Sequence, residues 1–193
     1  MNQKRRGEQH EKWAAISLGA TALVAALLLL LASPAKADDR VPAGSRPATA
    51  ADLVGNWQVV QWSTMVEASQ LGSYAAPYQW YGFDSDGALR SMTSNQLNAN
   101  ARQIRKTLEN MPVGMRYAVP SAGKVETMQV DAPNARESWR ALMVTRSARD
   151  AAAGIDLQQG DVVMTLLGAD EQPLYTRQMR RLEAAAPPVL FPR

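Results

Sequence analysis

Residues 14–32 hold neither a charge nor a proline, and five of them, 27–31, are consecutive leucines. A soluble domain cannot carry such a run on its surface, so this stretch decides which part of the chain is left to fold. Lys4, Arg5, Arg6 and Lys12 precede it; Ser33-Pro34 and the small-residue pattern Ala35-Lys36-Ala37 follow, and then Asp38-Asp39. Basic, apolar, helix-breaking and small residues in that order are what a secretory signal peptide requires. Residues 1–37 are therefore expected to be a cleaved signal, delivering a periplasmic or secreted protein. Kept uncleaved, the same run is nearly long enough to cross a bilayer. The alternative is therefore an inner-membrane anchor at residues 14–32. No cysteine follows the run, which excludes lipid attachment at one.

Setting residues 1–37 aside leaves 156 of the 193 residues, enough for one domain with a single core. Five of the 21 basic and two of the 18 acidic residues go with the signal, so 16 of each remain and the net charge is zero. Nucleic acid, which requires a basic surplus, is not an expected partner. The chain has no cysteine, and its one histidine, His10, falls in the signal. Ser-His-Asp and Cys-His mechanisms are thereby excluded, and a zinc site would need carboxylates alone. The expectation is a non-enzyme without cofactor or metal.

Residues 38–51, rich in Pro, Ala, Gly and Ser, read as a flexible leader, and residues 184–193, with Pro187, Pro188 and Pro192, as a disordered tail. The domain is expected over residues 52–183. It reads mostly as strands. Residues 53–62 alternate in part, with Trp57, Val59 and Gln61 on one face. Residues 80–83 and 88–93 flank the turn Asp84-Ser85-Asp86-Gly87 and make a hairpin. Further runs are 115–119, 124–130, 138–146, 161–167 and 174–182, with a turn cluster at 168–173 before the last. In that last run Tyr175, Arg177, Met179 and Arg181 share one side. Polar residues on both faces suit a barrel with a partly solvated interior. One segment departs from the pattern: Leu97, Ala101, Ile104 and Leu108 recur at helical spacing between Asn95 and Asn110. Ser94 or Asn95 can cap this amphipathic helix. It packs on the barrel or, through Arg102, Arg105 and Lys106, meets a membrane or partner.

Gly55-Asn56-Trp57, at the start of the first strand, resembles the Gly-x-Trp signature of lipocalins. The ordered set of "LVGxW", Phe83-Asp84-Ser85-Asp86-Gly87 and Leu157-Gln158-Gln159-Gly160-Asp161 is similar to the short bacterial lipocalin-like domains. The resemblance covers residues 53–182; the inserted helix departs from it. It implies an all-β fold, a small antiparallel barrel of the lipocalin (calycin) type with one inserted amphipathic helix. It also implies structural roles for Gly55 and for Trp57, which would cross the closed end. A late basic residue would lie over that tryptophan: Arg177, Arg180 or Arg181.

Other features are weighed on their residues. Asp84-x-Asp86-Gly87 resembles the start of a calcium loop, but the position that needs a carboxylate eight residues on is Asn95, so a hairpin turn is expected. Tyr74, Tyr78, Trp80 and Tyr81 cluster around Pro77, either packing the rim or lining the mouth of a ligand cavity. Met128, Met143, Met164 and Met179 serve as adaptable core packing or as a lipophilic lining. Arg180-Arg181 reads as a solvated strand end. The expected function is that of an exported binding or accessory protein holding a small lipophilic ligand in the barrel. The alternative is an envelope protein–protein interaction module with a filled barrel.

Overall fold

A computed structural model describes residues 44–64, 66–67, 72–96, 100–150 and 155–182. The expected signal and the tail lie outside them. Eleven strands are found among the described residues, and eight form an antiparallel ring in chain order. These are β2 (Gly55–Thr64), β3 (Tyr78–Phe83), β4 (Ala88–Ser94), β5 (Met115–Ser121), β6 (Lys124–Gln129), β7 (Arg136–Val144), β10 (Val162–Leu167) and β11 (Pro173–Arg181). β6 pairs with β7, and β11 returns to pair with β2, so the sheet closes into an up-and-down barrel. The all-β barrel with an inserted helix is thus the fold. Alternation gives each strand an inner and an outer row, and the inner rows make one core that includes Trp57, Val59, Phe83, Trp139, Met164 and Met179.

The turns follow from their residues. Gly87 has φ +82°, which an L side chain rarely adopts, and its N–H donates to the Asp84 carbonyl at 3.1 Å. Asp84 pairs with Arg90, and Asp86 accepts from the Ala88 N–H at 2.9 Å. At the other matched motif, Asp161 is buried and receives the Gln158 N–H at 2.8 Å, closing the turn into β10. Before that turn a small hairpin, β8 (Ala148–Asp150) with β9 (Ile155–Leu157), escaped the sequence reading because each strand is three residues long.

Two expectations, one about a boundary and one about a strand face, are corrected. Residues 45–51 are not a leader. Strand β1 (Ser45–Pro47) pairs with residues 142–144 of β7, the part of that edge that β6 does not reach. Ala48 is fully buried, its N–H donating to the Ala141 carbonyl at 3.0 Å. Pro47 is tolerated because a short edge strand has N–H positions that need no partner. Helix α1 (Ala50–Leu53) follows, with Asp52 accepting from the Thr49 N–H and paired bidentately with Arg46, each at 2.7 Å. In β2, a bulge lies opposite Gln178 and Met179: Val59 faces Met179, but Gln61 faces Gln178 and Trp62 faces Arg177. The extra residue switches the faces, so Trp62 rather than Gln61 packs on the core.

The expected helix is present as α2 (Ala101–Asn110), inserted between β4 and β5. Its cap is Asn100, not Ser94 or Asn95: the Asn100 side chain accepts from the Gln103 N–H, and the Gln103 side chain answers to the Asn100 N–H, both at 3.0 Å. Ser94 accepts instead from the Gln96 N–H, closing a local turn. Leu97 lies outside the described residues. Ala101, Ile104 and Leu108 are buried against Trp80 and Leu182 on the outside of the barrel. A Cβ on Gly82 would stand 3.8 Å from that of Leu108, so the glycine lets the helix approach closely. Because α2 intervenes, β4 and β5 share only two residue pairs, Ala88↔Arg116 and Leu89↔Met115.

Candidate functional site: the barrel interior

At the closed end Trp57 is fully buried and its indole N–H donates to the Leu53 carbonyl at 2.6 Å. The basic residue over it is Arg181, whose guanidinium carbon lies 4.2 Å from the ring centroid. Arg181 also donates to the Val54 carbonyl and, at 3.0 Å, to that of Asp52, which fastens α1 across the end. Gly55 has φ +128°, and a Cβ there would overlap the Arg181 Nη1. The glycine is therefore what admits the arginine. Arg181 is not a solvated strand end, and neither is Arg180, which bonds Asp161 at 2.9 Å on the outer surface.

Arg177 has a different place. It is one strand alternation above Met179 on the inner row of β11, only 2% exposed. Its guanidinium carbon stands 3.9 Å from the centroid of Tyr81 and 4.4 Å from that of Trp139. Among the described residues no carboxylate pairs with it. Nη2 lies 3.7 Å from the Met164 sulfur, while Nε and Nη1 have no hydrogen-bond partner.

Above Arg177 the mouth is aromatic. Tyr74, on the 3-10 turn Gly72–Ala75, stacks on Tyr175 at 5.4 Å between centroids and meets Trp139 edge-on at 5.8 Å. Its hydroxyl donates to Glu137 at 2.7 Å, and Glu137 also accepts from Thr127 at 3.0 Å and from the Trp139 indole at 3.2 Å. Gln79, fully buried, donates to the carbonyls of Tyr74 at 2.7 Å and Ala76 at 2.9 Å, tying the turn to the barrel. Burial holds the hydroxyls of Tyr74, Tyr81 and Tyr175 protonated well above the ordinary tyrosine range, with the Arg177 charge opposing the shift in each. They act as neutral hydrogen-bonding groups. Beside the turn, an open cleft of about 490 Å³ is lined by Gly72, Ala75, Ala76, Thr93, Ser94 and Asn95.

The four aromatic residues expected at one mouth are thus divided. Tyr74 and Tyr81 belong to the interior. Tyr78 and Trp80 stack on each other at 6.2 Å on the opposite face, in the cluster beneath α2. The reason is period two: β3 begins at Tyr78, so residues 78 and 80 point out while Gln79, Tyr81 and Phe83 point in. Three of the four methionines, Met143, Met164 and Met179, pack in the core, and Met128 is half-buried. Sequence reasoning missed Gln79, Thr127, Glu137 and Trp139. They carry no motif, although the strand alternation around Trp139 held a usable signal. Comparison with family models, with curated proteins and with solved structures finds no match.

Proposed function

We propose that this is a lipocalin-like, exported and non-catalytic binding or accessory protein, which holds a small lipophilic ligand in the upper half of its barrel. The observation that supports this reading is the convergence of Tyr74, Tyr81, Trp139 and Tyr175 above the sealed end, with rings 5.4–6.4 Å apart between Tyr74, Trp139 and Tyr175. Aromatic side chains offer large apolar area with a polar tip, the lining that small-molecule pockets use. An eight-stranded barrel has room for one such ligand or for side chains alone.

A second reading rests on Tyr74 itself. Stacked on Tyr175, it occupies the mouth that a ligand would use. A filled barrel would then serve as an envelope interaction module, contacting a protein partner with its loops. In either case the signal directs the protein to the periplasm or beyond, or residues 14–32 retain it at the inner membrane.

Native mass spectrometry of the protein recovered from cell envelopes separates the two readings. A small-molecule adduct is expected, on a chain that begins at Asp38. A bare barrel bound to one protein partner would replace the carrier reading with the module, and an intact Met1 terminus would establish the anchor.

A further inference from the structure

A charged group loses several kcal/mol of hydration on entering a protein interior, and folds offset that loss with a counter-charge or a full set of hydrogen bonds. Arg177 has neither. Its guanidinium lies over the rings of Tyr81 and Trp139, contacts that accommodate a cation without supplying a hydrogen-bond acceptor atom. Nε and Nη1 together carry three donors, all buried and unmet. Three neighbouring polar side chains of the interior are engaged: Gln79 bonds the mouth turn, Thr127 bonds Glu137, and the Tyr175 hydroxyl lies 3.4 Å from Gln79. Glu137, the acid facing the same space, already receives Tyr74, Thr127 and Trp139. Arg177 thus sits at the floor of the aromatic section, above the Trp57 seal, with no carboxylate among the described residues in ion-pair contact and with Nε and Nη1 unmet.

From this we infer that Arg177 is the anchor for an anionic headgroup, and that the ligand is a small amphiphile with a single carboxylate on an apolar body. The inference rests on the ligand-carrier reading and names the chemistry of that ligand. A carboxylate supplies the missing charge and accepts from the planar fork of donors, a geometry that guanidinium matches better than ammonium. The apolar body then lies toward the mouth, against Tyr175 and Trp139, with Tyr74 above it. A neutral lipid would leave the donors unmet and lose affinity for that reason.

The test compares 11-(dansylamino)undecanoic acid with its methyl ester, titrated into the envelope-purified protein and followed by dansyl fluorescence at neutral pH. The acid is expected to bind at least tenfold more tightly than the ester. In Arg177→Met, which keeps the length and apolar stem but not the charge, the acid should fall to the affinity of the ester. Equal affinities in the unmodified protein would overturn the anionic anchor while leaving a carrier of neutral ligands in place. Survival of the tenfold preference in Arg177→Met would assign the anion to another residue and overturn the inference equally. Failure of both probes to bind would remove the carrier reading and this inference with it. If Arg177→Met does not fold, the acid–ester comparison in the unmodified protein decides alone.

Discussion

Gly55, Trp57 and Arg181 act as one unit, since the absence of a side chain at the first creates the space that the third fills over the second. Trp57→Ala should cost about 3–5 kcal/mol, as truncation of a buried aromatic does, and lower the melting temperature accordingly. Arg181→Ala removes two charged hydrogen bonds to the carbonyls of residues 52 and 54, each worth about 1.5–3 kcal/mol. Gly55→Ala should cost a similar amount, because it displaces the same guanidinium. The double variant Gly55→Ala/Arg181→Ala should therefore be clearly less destabilised than the sum of its parts; additive melting shifts would show that the two residues act separately. The glycine and tryptophan were legible in sequence as a motif. The identity of the arginine was not. Alternation puts Arg177 and Arg181 on the same side of β11, and only the register with β2, which pairs Arg181 with Trp57 and Arg177 with Trp62, fixes their depths.

Among elements, the long strands, the Gly87 hairpin and α2 were readable because each carries its own periodicity or turn chemistry. What was unreadable depends on pairing between distant segments. β1 spans three residues of unremarkable composition, and its reason to be extended is the open edge of β7. The β2 bulge likewise has no local signature, yet it reverses the faces of Gln61 and Trp62 and so decides what Tyr175 packs against. Tyr78 and Trp80 were misplaced for a related reason: a hydrophobic cluster in sequence became two clusters once the strand began at Tyr78 rather than after it. The position of β1 is tested at Ala48, which is fully buried where the strand meets α1. Ala48→Asp would enclose a carboxylate without a partner and should lower the melting temperature steeply. If this variant melts like the unmodified protein, residues 44–48 are not part of the fold.

On the scale of the whole molecule, the eight ring strands follow one another round the barrel in chain order, and among the described residues the ladder that joins the first of them to the last is that of β11 with β2. The described chain also starts and finishes at the same end. Arg181 bonds the carbonyls of Asp52 and Val54, the Leu182 N–H donates to the Asn56 carbonyl at 2.9 Å, and Arg46 pairs with Asp52 beside them. A short linker from Leu182 to Gly44, with new termini opened in the 168–173 turn, should therefore give a permuted protein that melts cooperatively. Its melting temperature should lie within several degrees of that of the parent. Loss of cooperative melting would show that β10 and β11 must be synthesised as a connected hairpin for the barrel to close. A successful permutant would mean that the ring, once closed by β11 against β2, holds its shape whichever of these strands comes first. In topological terms the eight ring strands are a cycle, with the β11–β2 ladder equivalent to its other seams.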